Sequence, residues 1–131
     1  MQTQKVQENM ELFQKYTQSW IEKDLNKFKG LLHDDILVTE CFGASYVGKN
    51  ECELWFNHWN NTNLNQVIEW KTLNHYYDEL ADISVFEWFF KYKYKGEEHY
   101  FTGVTLFKVN ENKIISLKEF ESITNTYRPF K

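Results

Sequence analysis

The fold is decided by the stretch SVFEWFFKYKY (84–94), followed by HYFTGVTLFKV (99–109) and KIISLKEFESI (113–123). Each segment has the length and composition of a β-strand, and the segments are separated by short turns at 95–96 and 110–112. Strands that are joined by such short turns pair antiparallel. The C-terminal part of the chain therefore predicts an antiparallel meander, which the upstream segments must cover.

The first of these strands is apolar or aromatic on both faces. Alternation divides it into Phe86, Trp88, Phe90 and Tyr92 on one side and Ile83, Val85 and Phe89 on the other. A strand with one solvated face would alternate apolar and polar residues. We therefore expect a second copy of the chain to cover the outer face, as a homodimer joined through the sheet.

Helical periodicity precedes the strands. Apolar residues at spacings of three, four and seven predict a first amphipathic helix through Val6, Met10, Phe13 and Trp20. Asp24 can cap a second helix, which is expected to end near 33–35, before a short strand at 36–39. Asn50 and Glu53 resemble a capping box and open a third helix.

Alternation resumes from Val67 to Tyr77, so the helices come first and the long strands follow. At 131 residues the chain is expected to form one domain, residues 1–131. The predicted fold class is α+β, with three N-terminal helices packed on a strongly curved antiparallel or mixed sheet.

Composition narrows the classes of partner. The formal net charge of −4 argues against nucleic acid and anionic lipid as partners, and the aromatic share of 18% suits the wall of a ligand pocket or an interface. The N-terminus has no basic start followed by an apolar run, and no membrane-spanning run of about 18 apolar residues occurs. We therefore expect a cytoplasmic protein that does not contact membranes.

The residues that bind metals or perform nucleophilic chemistry form no motif. The two cysteines and four histidines have no metal-ligand spacing, and no glycine-rich phosphate loop or Ser-His-Asp order is present. We expect no metal and no cofactor, and buried free thiols at Cys41 and Cys52.

The chain resembles the SnoaL-like branch of the nuclear transport factor 2-like superfamily over almost its whole length. The resemblance rests on Trp20, Asp24 and Phe28, on the segments ECFG (40–43), YVGK (46–49) and WF (55–56), and on EW (87–88), FTGV (101–104) and KIISLKEF (113–120). It implies a cone-shaped sheet with an internal pocket at the wide end and a homodimer joined through the sheet. The superfamily contains isomerases, cyclases, dehydratases and interaction modules, so the fold alone does not define an activity.

The ketosteroid isomerase branch of this superfamily implies three polar positions. A helix tyrosine that binds a developing oxyanion matches Tyr16, and an acidic base after the first strand matches Glu40. The third position, an acid in the isomerases, is occupied by Thr105, whose hydroxyl is a weaker donor. By strand alternation Glu119 faces inward and can supply that acid, so Tyr16, Glu40 and Glu119 are the candidate catalytic residues.

The expected pocket wall is mainly aromatic. It comprises Trp20, Tyr46, Trp55, Trp59, Trp88, Phe90, Phe101, Thr105 and Leu117. Glu40 in such a wall would have a raised pKa, because desolvation disfavours the charged form, and that suits proton transfer near neutral pH. A structural role as a hydrogen-bonded acid at the end of a strand remains open for Glu40.

The sequence is therefore compatible with two functions. In the first, the cone binds a small, mostly apolar molecule and acid/base chemistry isomerises, cyclises or dehydrates it. In the second, the protein is a non-catalytic binding or protein-interaction module whose own side chains fill the cavity. The threonine at position 105 favours the second function.

Overall fold

The computed structural model describes residues 2–131, with side chains from Gln4 onward. Its helices are α1 (Gln2–Glu22), α2 (Leu25–Leu31) and α3 (Gly48–Asn60). Its strands are β1 (Leu32–Thr39), β2 (Ser45–Val47), β3 (Gln66–Asp78), β4 (Ile83–Tyr94), β5 (Glu97–Asn110) and β6 (Lys113–Ser122). No helix in this part of the chain is long and apolar enough to cross a membrane.

The strands form one sheet in the order β2-β1-β6-β5-β4-β3. Strands that are neighbours in the sheet pair antiparallel, except β1 and β6, which run parallel. The sheet curls without closing, and the three helices pack on it. The structure thereby confirms the predicted α+β fold with three helices on a curved mixed sheet.

The helix α1 packs on the sheet through an aromatic stripe. Phe13, Tyr16 and Trp20 are buried at helical spacing. The ring of Phe13 stacks on Phe86 of β4 at 4.2 Å and meets the ring of Phe107 of β5 edge-on at 5.6 Å. Burial of one phenylalanine side chain contributes about 1.5–3 kcal/mol, so this stripe anchors the helical layer.

The helix α2 begins as predicted but ends earlier. The carboxylate of Asp24 accepts a hydrogen bond from the backbone N–H of Lys27 at 3.1 Å. The predicted end near 33–35 is wrong, because the helix stops at Leu31 and Leu32 is already extended. Leu32 pairs with Ile114 of β6 and is buried there, so sheet pairing ends the helix before its polar residues.

The helix α3 begins before the predicted capping box of Asn50 and Glu53. Its first residue is Gly48, whose φ of +82° is a backbone conformation that glycine adopts readily. The carboxylate of Glu51 accepts a hydrogen bond from the backbone N–H of Val47 at 2.8 Å. An acid therefore does cap this helix, but from a different position.

A buried polar cluster joins α1 to the strands β3 and β4. The amide nitrogen of Asn9 donates to the hydroxyl of Ser84 at 2.9 Å, and the Nε2 atom of His75 lies 2.9 Å from the same hydroxyl. The imidazole of His75 stacks on Phe86 at 4.2 Å. Burial lowers the pKa of His75, so the neutral ring is favoured in this cluster.

Candidate functional site

An aromatic cavity of about 80 Å³ lies between the helices and the inner face of the sheet, partly open to solvent. The helices α1 and α3, the turn after β1 and the strands β3 to β6 all contribute to its wall. The lining residues are Trp20, Glu40, Cys41, Phe42, Trp55, Trp59, Val67, Trp70, Trp88, Phe90, Tyr92, Phe101 and Glu119.

The strand register places aromatic residues side by side across the sheet. Phe90 of β4 pairs with Trp70 of β3 and with Phe101 of β5. Because side chains alternate along a strand, Trp88 and Tyr92 share the inner face with Phe90. Three neighbouring strands therefore supply one continuous aromatic surface.

Three of these rings have planes that are nearly perpendicular to one another. Trp88 and Phe90 are 6.1 Å apart at 72°, Trp88 and Phe101 are 5.6 Å apart at 68°, and Phe90 and Phe101 are 5.5 Å apart at 71°. Edge-to-face contacts of this kind are favourable between aromatic rings. Each of the three rings is therefore in edge-to-face contact with the other two, and we refer to this arrangement as the aromatic corner.

Glu40 follows β1 at the start of a tight turn. Its backbone C=O accepts from the N–H of Gly43 at 3.0 Å, and Gly43 has a φ of +100°, which favours glycine. The hydroxyl of Tyr46 donates to the carboxylate of Glu40 at 2.7 Å. Burial raises the pKa of Glu40, while the hydrogen bond from Tyr46 stabilises the carboxylate and opposes the rise.

Glu119 lies on β6, beside the end of β1. The last parallel pair of the two strands is Thr39 with Lys118, and the next residues are Glu40 and Glu119. Burial, and then the charge of Glu40, raise the pKa of Glu119 to about 8. Among the described residues, no side chain donates a hydrogen bond to Glu119, which lines the cavity.

Tyr16 lies behind the cavity wall. Its ring is fully buried, 5.8 Å from Trp70 and 5.9 Å from Phe28. Its hydroxyl has no hydrogen-bond partner among the described residues. Burial and the nearby charge of Glu119 raise the pKa of Tyr16 well above its ordinary value, so the phenol stays protonated. The structure thus brings Glu40 and Glu119 together in the wall, whereas Tyr16 does not line it.

Three residues that were expected in the wall lie elsewhere. Tyr46 stacks on the outer side of the site against Trp55 at 4.7 Å and reaches Glu40 only with its hydroxyl. Thr105 is fully buried, and its hydroxyl accepts a hydrogen bond from the indole N–H of Trp88 at 2.8 Å. Leu117 is buried in the core. Thr105 and Leu117 do lie on the inner face of the sheet, but other side chains cover them.

The other six expected wall residues do line the cavity: Trp20, Trp55, Trp59, Trp88, Phe90 and Phe101. Four lining residues were not predicted: Cys41, Phe42, Val67 and Tyr92. A fifth, Trp70, is compatible from sequence alone with either the wall or the core. Tyr92 continues the alternation of Trp88 and Phe90, and this signal could have identified it. Trp70 could not be assigned, because two register shifts in β3 interrupt its alternation.

The chemistry that the wall can perform is that of carboxyl groups. Burial raises the pKa of the Cys41 thiol to about 11, so the nucleophilic thiolate is scarce at neutral pH. Within the described residues, no group of three potential metal ligands occurs. Glu40 and Glu119 are the two wall residues with carboxyl groups, and burial raises the pKa of both.

Comparison with known proteins identifies the fold. No protein-family model and no curated protein matches the sequence. A hypothetical protein with a ketosteroid isomerase-like fold from Catenulispora acidiphila, in complex with trimethylamine, matches 86% of this chain and 86% of its own with a TM-score of 0.74 and 17% identity.

Two further structures match at similar levels. A Δ5-3-ketosteroid isomerase from Mycobacterium sp. matches 86% of this chain and 92% of its own, with a TM-score of 0.72 and 15% identity. A candidate polyketide cyclase from Xanthomonas campestris matches 90% and 93%, with a TM-score of 0.73 and 13% identity. The chain therefore has the ketosteroid isomerase-like fold of these structures, which is the nuclear transport factor 2-like fold.

Proposed function

We propose that the protein binds a small, mostly apolar molecule in the aromatic cavity and transfers a proton within it. The reaction is an acid/base isomerisation, cyclisation or dehydration. The observation that carries the proposal is that two interacting carboxyl groups, Glu40 and Glu119, line one aromatic wall. Isomerases and candidate cyclases among the proteins of the same fold support this class of reaction.

The two carboxyl groups suit complementary roles. Glu119, with a pKa of about 8, is mostly protonated at neutral pH and can donate a hydrogen bond. Glu40 accepts a hydrogen bond from Tyr46, which favours its ionised form, so Glu40 is the proposed base. The proposal does not use Tyr16, because its hydroxyl is buried behind the wall.

The proposed step applies to a substrate with an acidic C–H bond beside a carbonyl group. Glu40 removes the proton from carbon, and the electron pair of the broken bond moves to the carbonyl oxygen. Protonated Glu119 donates a hydrogen bond to that oxygen. For an isomerisation the substrate also carries a carbon–carbon double bond between the next two carbons. The electron pair then returns from the oxygen through this conjugated system, the far carbon of the double bond takes the proton from Glu40, and the double bond moves next to the carbonyl group. The surrounding rings keep water away.

Deuterium exchange tests the base without knowledge of the natural substrate. Small ketones that raise the melting temperature of the protein are incubated with it in D₂O, and loss of their α-proton signals is followed by NMR. We expect Glu40→Gln to slow the exchange by at least about a hundredfold, since a positioned base contributes about 10²–10⁴-fold. The exposed Glu79→Gln serves as the control. Exchange at the wild-type rate in Glu40→Gln would reject the base role.

A second candidate function is a non-catalytic module with a filled cavity. The hydrogen bond from the indole N–H of Trp88 to the hydroxyl of Thr105 favours the module. The threonine holds a wall residue in place and offers no acidic group to a substrate. A melting screen with hydrophobic small molecules separates the two functions. Stabilisation by a ligand supports the open cavity, and no shift across a broad panel supports the filled module.

We also propose that two copies of the chain pair through the outer face of the sheet. Val85 of β4 and Leu106 of β5 are neighbours on this face, and Val104 of β5 lies beside Phe120 of β6. In one chain 46% of the surface of Phe120 is exposed. These apolar residues share the face with Glu87 and Lys118. Exposed apolar side chains on a sheet face are typical of an interface between subunits.

A further inference from the structure

The cavity wall contains acidic side chains but no basic ones. Glu40 and Glu119 line it, and none of the lining residues, all of which the structure describes, is a lysine, arginine or histidine. Glu40 has a hydroxyl partner in Tyr46, whereas no described side chain donates to Glu119. A carboxylate that is buried without a counter-charge is costly, and a cationic occupant would remove that cost.

The aromatic part of the wall favours the same kind of occupant. Trp88, Phe90 and Phe101 form a corner of three nearly perpendicular rings, and Trp20 and Trp59 meet at 75° with centroids 5.9 Å apart. The faces of aromatic rings carry negative potential and attract cations by about 0.5–2 kcal/mol per contact. A cation in contact with the ring faces would therefore be attracted by the rings as well as by the acids.

The volume limits the size of the group that fits. About 80 Å³ is roughly half of the 150 Å³ cavity in which benzene, with six heavy atoms, binds, so the enclosed part holds a group of about three to four heavy atoms. A trimethylammonium group has four heavy atoms, an apolar surface and a full positive charge. A primary ammonium would need acceptors for three N–H groups, and a methylated nitrogen needs none.

We propose that the cavity binds the methylated ammonium head group of a small organic cation, with Trp88, Phe90 and Phe101 around it and Glu40 and Glu119 as counter-charges. The proposal rests on the small-molecule site described above and names its ligand class. It does not depend on the proton-transfer step, because that step needs protonated Glu119, whereas a bound cation favours the ionised form.

Binding of such a cation is coupled to release of a proton. The groups that act on Glu119 from the neighbouring elements are Glu40 and Cys41 after β1 and Tyr16 of α1, and none of them is cationic. A bound cation favours ionised Glu119, so affinity increases as the pH rises towards about 8 and levels off above it. The increase is at most about tenfold per pH unit for one proton.

Calorimetric titration with choline and with its uncharged carbon isostere, 3,3-dimethylbutan-1-ol, tests the proposal on the wild-type protein. Both probes have the same shape, and only choline carries the charge. We expect choline to bind at least about tenfold more tightly. Glu119→Gln should weaken choline binding about tenfold and leave the isostere unchanged, and the exposed Glu79→Gln should change neither.

Each other outcome identifies what has failed. Equal or tighter binding of the isostere would overturn the cation proposal and leave the small-molecule site intact. The same holds if neither probe binds while neutral molecules from the melting screen do. If no molecule of any charge binds, both the cation proposal and the proposed function fail.

Discussion

Among single residues, Glu119 has the strongest influence on the cavity, because its protonation decides whether the wall is neutral or negative. Its raised pKa comes from burial and from Glu40, with no hydrogen bond to offset them. Glu40, in contrast, has a donor in Tyr46. These two neighbouring acids therefore behave differently because, among the described side chains, only Glu40 has a hydrogen-bond donor.

The pH dependence of stability should reveal this acid. A carboxyl group whose pKa is near 4.5 in the unfolded chain and about 8 in the folded protein favours folding fully below pH 4.5, and its contribution is lost as the pH rises through 8. Urea denaturation at pH 5, 6.5 and 8 should give a stability that falls more steeply in the wild type than in Glu119→Gln, by a few kcal/mol across the range. His75 titrates in both proteins and cancels in the difference, whereas Glu40 interacts with Glu119 and is part of the difference. If the stability of the wild type and of Glu119→Gln changed equally with pH, the raised pKa of Glu119 would be contradicted.

Between elements, the contact of β5 with the indole of Trp88 controls the shape of the wall. Gly103 on β5 pairs with Trp88 on β4. A Cβ atom at Gly103 would lie 2.5 Å from the backbone oxygen of Phe120 and 2.5 Å from the Cη2 atom of Trp88. The absence of a side chain at this position lets the indole lie flat across β5 and reach the hydroxyl of Thr105.

Gly103→Ala should therefore destabilise the protein and displace Trp88. We expect a loss of about 1–3 kcal/mol in the free energy of unfolding, as for other overpacked sites, together with weaker binding of any cavity ligand. Chemical denaturation and titration measure the two effects. Gly30→Ala in α2 is the matched control, because no atom lies within 4 Å of its added Cβ atom and alanine favours a helix by up to about 1 kcal/mol. Equal stability of the two variants would contradict the close contact.

Sequence alternation predicts β4 well and β3 poorly, for a physical reason. Trp88 and Phe90 lie on a strand of regular pleat, so their inward direction follows from the sequence alone. In β3, register shifts between Val67 and Glu69 and between Thr72 and Asn74 break the period of two. Bulges of this kind depend on the partner strand and leave no signal in the chain itself.

Alternation along a strand also predicts which face a side chain lies on, but not whether that side chain is accessible from the cavity. Thr105 and Leu117 point to the inner face as predicted, yet both are fully covered by neighbouring side chains. The helix boundaries were missed where sheet pairing at Leu32 and the backbone at Gly48 overrode local capping preferences. Only the packed structure decides which inward residues remain accessible.

For the whole molecule, the outer sheet face should determine the oligomeric state. Phe120→Glu places a charge in the proposed interface, and we expect the variant to be monomeric because a buried unpaired charge is costly. Light scattering after size-exclusion chromatography measures the mass against a wild-type dimer. The same substitution at Leu80, a fully exposed turn residue, should leave the dimer unchanged. A wild-type monomer, or a dimeric Phe120→Glu, would contradict the proposed interface.

The parallel pairing of β1 with β6 joins an early segment of the chain to its last strand. During synthesis, Glu40 leaves the ribosome long before Glu119, and the two acids meet only after β6 has docked. Pairings between such distant segments form slowly, because a large loop must close first. The acid pair therefore cannot form until β6 has docked, and a chain that stops before β6 has the aromatic helices but no acid pair.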